Sequence, residues 1–292
     1  MIIDYKIHQV SEYINWIYFF HAWSFAPKFA TVADIHDCVA CQTGWLDSFP
    51  PEDREKAIQA SKLYKDAKEL LKALDKKYHT HAICELFDAN SQGDDIIIGD
   101  TLFPLLRQQS KGKEVFICLS DYIRPLSHNI KDKIGVFAST VEKEMEHLFD
   151  NDDYMRMLSQ TICDRLAEAT AEKVHEYVRK ELWGYAKDEN LSPKDLFMER
   201  YQGIRPAVGY PSLPDQSINF VINDLINLSS IGITLTENGM MIPHASVSGL
   251  MFAHPKAQYF SIGEIDEIQL ADYAKRRGIS IEQAKKYLAA NI

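Results

Sequence analysis

The sequence lacks the features that tie a chain to a membrane or to nucleic acid. No apolar run approaches the roughly 18 residues that span a bilayer, and the N-terminus lacks the basic-then-apolar layout of a signal peptide. The chain has fewer basic than acidic residues, 32 Lys and Arg against 42 Asp and Glu, and its net charge is −10. Nonspecific binding to nucleic acid or to an anionic membrane is therefore not expected, and we expect a cytoplasmic protein.

Cysteine is sparse, scattered and odd in number, which is typical of reduced thiols in a reducing compartment. The five cysteines are Cys38, Cys41, Cys84, Cys118 and Cys163. Cys38 and Cys41 have the spacing of a redox or zinc pair, but no second pair exists and His36 is the sole nearby ligand candidate. Chance spacing or a shared helix face is the favoured interpretation, and no metal site is predicted.

Internal repeats, low-complexity tracts and flexible linkers are also lacking. With 292 residues, 46% apolar and 25% charged, the chain has the composition of an ordinary globular protein of one large or two average domains. Long helices are predicted over 51–78 and 153–182, short helices over 105–109, 267–277 and 281–290, and β-type runs over 81–87, 96–98, 115–119, 134–138, 233–235, 246–253 and 258–265. Strands that come in groups between long helices predict an α+β fold, a mainly antiparallel twisted sheet flanked by long helices.

The second long helix carries a polar row at spacings of three and four residues. The row comprises Arg165, Glu168, Glu172, His175 and Arg179. A solvated face with ion pairs is the simplest interpretation. The aromatic start of the chain, residues 13–25, is expected to pack against the core, and a wall for a flat ligand is the alternative.

The stretch from Gly203 to Pro211 has a proline and glycine spacing that neither a helix nor a central strand tolerates. It predicts a shaped loop that presents Arg205, Tyr210 and bare backbone. Arginine can pair with a carboxylate or phosphate, and a tyrosine ring offers a face to a cation or a heterocycle. A structural turn whose Arg205 pairs with a nearby acid remains equally open.

Several motifs together resemble the reactivation domain of cobalamin-dependent methionine synthase, which binds S-adenosylmethionine (AdoMet). They follow the family order along the chain: YINWIYFFHAW (13–23), NSQGDDIII (90–98), LRQQ (106–109), CLSDYIRP (118–125), DRLAEATAEKVHEYVRKELWGYAKDENLS (164–192), YQGIRPAVGYPSLPD (201–215), LTENGMMIPHASVSGLMFAHPKAQYF (235–260) and DYAKRRG (272–278). The resemblance implies a single activation-type domain over 1–292, standing alone without the homocysteine, folate and cobalamin modules.

The resemblance also implies a function. The chain is expected to bind AdoMet and to support reductive methylation of cob(II)alamin to methylcobalamin on a partner. That partner is a cobalamin-binding methionine synthase core acting in trans, with cobalamin held by the partner alone and the electron supplied by a flavodoxin-type donor. The alternatives are a reactivation factor or binding module for a different corrinoid protein, and a degenerate homologue without catalysis.

Seven residues match family positions that contact AdoMet. Arg205 corresponds to the arginine that pairs with the ligand carboxylate, and Glu168 to a glutamate that contacts the ligand. Ala207, Gly209, Tyr210 and Tyr259 correspond to positions that line it. Asn15 stands where the family has an aspartate that binds the amino group, and the amide loses charge assistance of about 1 kcal/mol. Weakened AdoMet binding is therefore predicted.

Overall fold

An antiparallel sheet of six strands forms the centre of the fold in the computed structural model, which describes residues 1–109 and 114–292. The strands are β1 (Ile2–Lys6), β2 (His79–Gln92), β3 (Asp95–Ile98), β4 (Thr101–Pro104), β5 (Asp132–Val141), the separate pair β6 (Thr234–Leu235) and β7 (Met241–Ile242), and β8 (Ser246–Met251). The sheet order is β4-β3-β2-β5-β8, and β1 pairs with the beginning of β2. β5 pairs with β2 through ten residues, so these two strands anchor the sheet.

Helices cover the sheet. They are α1 (Ile7–Val10), α2 (Trp16–Ala22), α3 (Val39–Asp47), α4 (Pro51–Leu74), α5 (Asp153–Tyr177), α6 (Pro193–Phe197), α7 (Ile218–Ile226), α8 (Glu267–Arg277) and α9 (Ile281–Tyr287). A π-helical turn, Val178–Leu182, continues α5. None of the helices among the described residues has the length and apolar character needed to cross a bilayer.

The two long helices predicted over 51–78 and 153–182 are confirmed. In α4, apolar residues that recur every three or four positions form one buried stripe: Ala57, Ala60, Leu63, Ala67, Leu70, Leu71 and Leu74. In α5, Asp152 caps the N-terminus by accepting a hydrogen bond from Met155 N at 3.0 Å. At the other end of the chain, Gly278 ends α8 with a positive φ, and Ser280 and Gln283 form a capping box at the start of α9.

Both faces of the sheet are buried. Alternate residues face opposite sides, so Ala82 and Phe137 belong to the core under the long helices, whereas Ile83 and Val136 belong to the core that packs against α7. Eight consecutive residues of β5, 134–141, are therefore buried. The α+β fold with a mainly antiparallel sheet is confirmed, whereas the assignment of 1–292 to one domain stays a prediction.

Two short segments on either side of residues 110–113, which lie outside the described residues, were wrongly predicted. The segment 105–109 is not helical, because Arg107 N donates to Gln269 Oε1 at 2.7 Å and Gln108 N donates to Ile117 O at 3.0 Å in place of helical bonds. The run 115–119 is not a strand, since it contributes one isolated bridge at Cys118 before a 3₁₀ turn begins.

The predicted strand 258–265 is irregular chain. Its backbone donors go to unrelated partners: Gln258 N to Tyr122 Oη at 3.3 Å, Ile262 N to Pro211 O at 2.8 Å, and Ile265 N to Asn291 O at 2.8 Å. Each partner lies in a different part of the chain, so no ladder forms. The predicted run 81–87 lies within the longer strand β2, which ends at Gln92 and is joined to β3 in a hairpin by a turn at Gly93 and Asp94.

Candidate functional site

The loop 203–211 lies along the free edge of β8. Ile204 and Phe252 exchange backbone hydrogen bonds of 3.0 and 2.9 Å, and Val208 N donates to Ser248 O at 2.9 Å. The loop therefore forms backbone hydrogen bonds with the edge of β8 that no other strand pairs with. The predicted shaped loop is confirmed, and it is held by backbone bonds that do not depend on its side chains.

Two glycines permit this close approach. A Cβ added to Gly249 would lie 2.2 Å from Pro206 O and 2.9 Å from Ala207 Cα. Gly203 has φ +87°, and a Cβ there would lie 2.2 Å from Phe252 O. Only glycine fits at either position. The two glycines are therefore required for the loop to lie this close to β8.

The polar row of α5 faces inward, which corrects the prediction of a solvated face. Glu172, His175 and Arg179 are buried, whereas Glu168 and Arg165 are partly exposed. Arg179 is paired within the protein, because its guanidinium donates to both oxygens of Glu189 at 2.6 to 3.1 Å. The row therefore runs from a buried ion pair at the C-terminal end of α5 into an open groove.

That groove is a cavity of about 720 Å³ between the loop, α5 and the aromatic start of the chain. Its wall consists of Tyr13, Asn15, Tyr18, Phe137, Arg165, Glu168, Glu172, Leu196, Phe197, Glu199, Tyr201, Arg205, Pro206, Ala207, Tyr210, Pro211, Ser212, Val247, Tyr259, Phe260 and Ser261. Rings and a few polar groups dominate, a lining typical of small-molecule sites. The structure thus brings together six of the seven residues singled out from the sequence.

Arg205 is fixed in the groove wall by three groups. Its Nη2 donates to Glu172 Oε2 at 2.6 Å and its Nη1 to Tyr201 Oη at 3.0 Å, while its backbone N donates to Tyr259 Oη at 3.0 Å. Burial, the largest single cause, would lower the pKa of Arg205, but Glu172 together with Tyr259, Tyr201 and Glu168 outweighs it, and the pKa is raised well above its usual value. The arginine is therefore a permanent cation in a fixed orientation.

Glu168 and Tyr210 meet across the groove. The Tyr210 hydroxyl donates a hydrogen bond to Glu168 Oε1. Burial raises the pKa of this phenol, and the neighbouring Glu168 adds to the effect. Since the tyrosine is 49% exposed, a ligand can reach the carboxylate by displacing it.

Asn15 faces the groove while it caps α2. Its Oδ1 accepts a hydrogen bond from Ile17 N at 3.1 Å. An amide oxygen has a second lone pair, which is left for a ligand. Asn15 thus combines a structural role with its place in the groove wall.

Ala207 and Gly209 differ in their positions. Ala207 lines the cavity with its backbone beside Gly249. Gly209 is absent from the cavity wall; it turns the chain with φ +86° and donates a 2.8 Å hydrogen bond from its N to Leu213 O. Its place is therefore the turn that presents Tyr210.

Several residues of the groove wall were not identified as site residues from the sequence. Glu172 is the most important: its Oε1 is buried and has no hydrogen-bond partner among the described residues. Its spacing of four residues from Glu168 could have revealed it, since both occupy one helix face. Glu199 follows α6, and burial raises the pKa of its carboxyl while Arg205 opposes that rise. Tyr201 lies two residues before the loop, and no pattern in the sequence indicated that it would line the groove.

Residues 6–278 match the family model described as vitamin B12 dependent methionine synthase, activation domain. The chain is also similar to a solved crystal structure, that of the MetH reactivation domain bound to AdoHcy. That similarity has 35% sequence identity and a TM-score of 0.86, and it covers 100% of this chain and 90% of the other.

Proposed function

The chain belongs to the activation-domain family of vitamin B12-dependent methionine synthases, and we propose that its groove binds AdoMet. The observation that carries the proposal is the convergence of Arg205, Glu168, Glu172 and Asn15 on one aromatic-lined cavity. The similar solved domain is bound to AdoHcy, the demethylated form of the same ligand. AdoMet supplies an activated methyl group, and the residues of this chain hold and orient it.

The amino-acid end of AdoMet carries a carboxylate and an ammonium, and the groove offers a partner for each. A guanidinium has five N–H donors, of which Arg205 uses two within the protein, so it retains donors for a carboxylate. The unpartnered Glu172 Oε1, together with Glu168 and Asn15, supplies acceptors for an ammonium. The residues therefore fit a zwitterion.

The formal charge of the groove fits the whole ligand. Three glutamates, Glu168, Glu172 and Glu199, face two arginines, Arg165 and Arg205, which leaves one net negative charge. AdoMet, with its sulfonium, ammonium and carboxylate, has one net positive charge. The tyrosine rings of the wall offer faces to the sulfonium and the adenine. This complementarity favours AdoMet over AdoHcy, which lacks the sulfonium and whose ammonium and carboxylate charges cancel.

The reaction that this binding serves is the reductive methylation of cob(II)alamin to methylcobalamin on a partner. Cobalamin stays on that partner, a methionine synthase core that acts in trans, and a flavodoxin-type donor provides the electron. In this role the chain acts by positioning, because it presents the AdoMet methyl group to a nucleophile that another protein carries.

Two measurements test the proposal separately. AdoMet at 100 times its dissociation constant should stabilise the folded chain by about 2.7 kcal/mol and raise its melting temperature. The second measurement mixes the chain with AdoMet, a reduced flavodoxin-type donor and a cob(II)alamin-loaded methionine synthase core. This mixture should develop the absorbance spectrum of methylcobalamin. AdoMet binding without methylcobalamin would assign the chain to another corrinoid partner, and the absence of binding would make it a degenerate homologue.

A further inference from the structure

A second cluster of reactive side chains lies outside the groove. The ligand atoms of His36, Cys38 and Cys41 all lie within 4.8 Å of one another. None of the three lines the AdoMet groove. His36 and Cys41 are exposed and Cys38 is partly exposed, so the cluster is open to solvent.

The backbone brings these three side chains together. Cys38 is the N-cap of α3, and its Sγ accepts a hydrogen bond from Cys41 N at 3.3 Å. The Cys38 N donates to His36 O at 2.8 Å, which turns the chain so that the histidine returns to the cysteines. A side-chain bond of 2.7 Å from Gln42 Nε2 to Asp37 Oδ1 closes this turn. The cluster is thus shaped before any ligand arrives.

The separations suit a tetrahedral metal ion. With zinc bonds of about 2.3 Å to sulfur and 2.0 Å to nitrogen, two ligand atoms of a tetrahedral site lie roughly 3.5 to 3.8 Å apart. The upper limit of 4.8 Å in the cluster is about 1 Å larger. Rotation of exposed side chains about χ1 closes a difference of that size without moving the backbone.

We propose that His36, Cys38 and Cys41 bind a thiophilic divalent cation of the zinc type. Two thiolates and one imidazole form a soft ligand set, and three protein ligands leave the fourth position to water or to a group from another molecule. Binding displaces the thiol protons. Disulfide exchange by the cysteine pair, which a neighbouring histidine can also support, is the alternative that the experiment below separates from metal binding.

Cobalt(II) titration of the full, reduced, untagged chain tests the site, because Co²⁺ replaces Zn²⁺ and reports its ligands by absorbance. One equivalent should produce sulfur-to-cobalt charge-transfer bands and intense ligand-field bands of a four-coordinate ion, and one equivalent of Zn²⁺ should abolish them. The Cys38→Ser and Cys41→Ser variants should lose or halve the charge-transfer absorbance.

Histidine variants provide the matched control. His36→Ala should lower the Co²⁺ affinity by more than about tenfold, a loss that even outer partners of a ligand can cause. His21→Ala removes another exposed histidine, outside the cluster, and should leave the affinity unchanged. The proposal is overturned if the charge-transfer absorbance is undiminished in Cys38→Ser, if both histidine variants behave alike, or if the reduced chain binds no Co²⁺. In the last case, a disulfide formed with oxidised glutathione would assign the pair to thiol exchange.

Discussion

Glu172 and Arg205 form an ion pair in the groove wall, with 2.6 Å between Oε2 and Nη2. Their side chains are only 7% and 15% exposed. The two interpretations that the sequence left open, a structural arginine paired with an acid and an arginine that faces a ligand, therefore describe the same residue. Arg205 stabilises the loop through Glu172 and also lines the cavity.

Arg205→Ala should therefore impair both binding and stability. Removal of the guanidinium leaves Glu172 buried without its partner. Breaking a buried pair in this way costs about 3 to 5 kcal/mol. Chemical denaturation measures the free energy of unfolding, and calorimetric titration should detect little AdoMet binding.

A double variant separates the two effects. Arg205→Met with Glu172→Gln removes both charges, so most of the lost stability should return while AdoMet binding stays weak. Arg165→Ala is the matched control, since it removes a groove arginine for which the structure shows no such buried carboxylate partner. An unchanged unfolding free energy in Arg205→Ala would show that the pair contributes little to the fold.

Asn15→Asp should tighten AdoMet binding about fivefold, which corresponds to about 1 kcal/mol for a charge-assisted hydrogen bond to the ammonium. Aspartate keeps the cap of α2, because one oxygen can accept from Ile17 N while the other faces the groove. Calorimetric titration of both proteins measures the difference. Equal or weaker affinity in the aspartate variant would contradict the expected role of this position.

Asn15→Ala is the control for the cap. It removes the acceptor for Ile17 N and should cost about 1 kcal/mol of unfolding free energy. Asn15→Asp should not show this loss. A stability loss in both variants would mean that a change in affinity reflects a disturbed helix and not the ligand contact.

Local periodicity predicted the parts of the fold that depend on neighbouring residues. The buried stripe of α4 and the capping box of α9 depend on residues three and four positions apart, and the helices predicted at both places are present. The same spacing placed Glu168 and Glu172 on one helix face but could not tell whether that face meets water or a loop from elsewhere in the chain. The prediction of a strand over 258–265 was wrong for a related reason, because the hydrogen-bond partners of this segment lie far away in sequence.

The groove itself depends on contacts between distant segments. Asn15 and Arg205 are separated by 190 positions, and no pattern of composition or spacing connects them. Only the resemblance to a family placed them in one site. The structure added Tyr201 and Glu172, which the resemblance had not supplied, because hydrogen bonds to Arg205 identify them directly.

Gly249→Ala should displace the loop and weaken AdoMet binding. A Cβ 2.2 Å from Pro206 O cannot be accommodated, and the obstacle is backbone, which cannot rotate away. The loop must leave β8, so Arg205 and Ala207 move together. Thermal unfolding and calorimetric titration should both show a loss.

Gly44→Ala is the control for a glycine replaced by alanine. Gly44 lies in α3, and a Cβ there meets nothing within 4 Å. Alanine should stabilise the helix by up to about 1 kcal/mol and leave AdoMet binding unchanged. If Gly249→Ala binds AdoMet as tightly as Gly44→Ala does, the close approach of loop and strand is not required for the site.

His175 should make the folded chain sensitive to acid. The ring is fully buried, and neither nitrogen has a hydrogen-bond partner among the described residues. Burial, with the positive charges of Arg179 and Arg205 as further causes, lowers its pKa well below 6.5. The ring packs edge-on against Tyr201 with 4.9 Å between centroids, so a proton on it would place a third cation beside two arginines.

The sign of this effect follows from the lowered pKa. In the unfolded chain the imidazole takes up a proton as the pH falls below about 6.5, whereas in the folded chain it stays neutral. The contribution of His175 is therefore complete above pH 6.5, and about 1.4 kcal/mol is lost per pH unit between 6.5 and the lowered folded-state pKa. His175→Leu and His175→Asn cannot titrate, so in both variants the unfolding free energy should fall less steeply between pH 6.5 and 5. Equal slopes in all three proteins would mean that the ring is protonated in the folded state, and the buried arginines would then need a compensating acid such as Glu172.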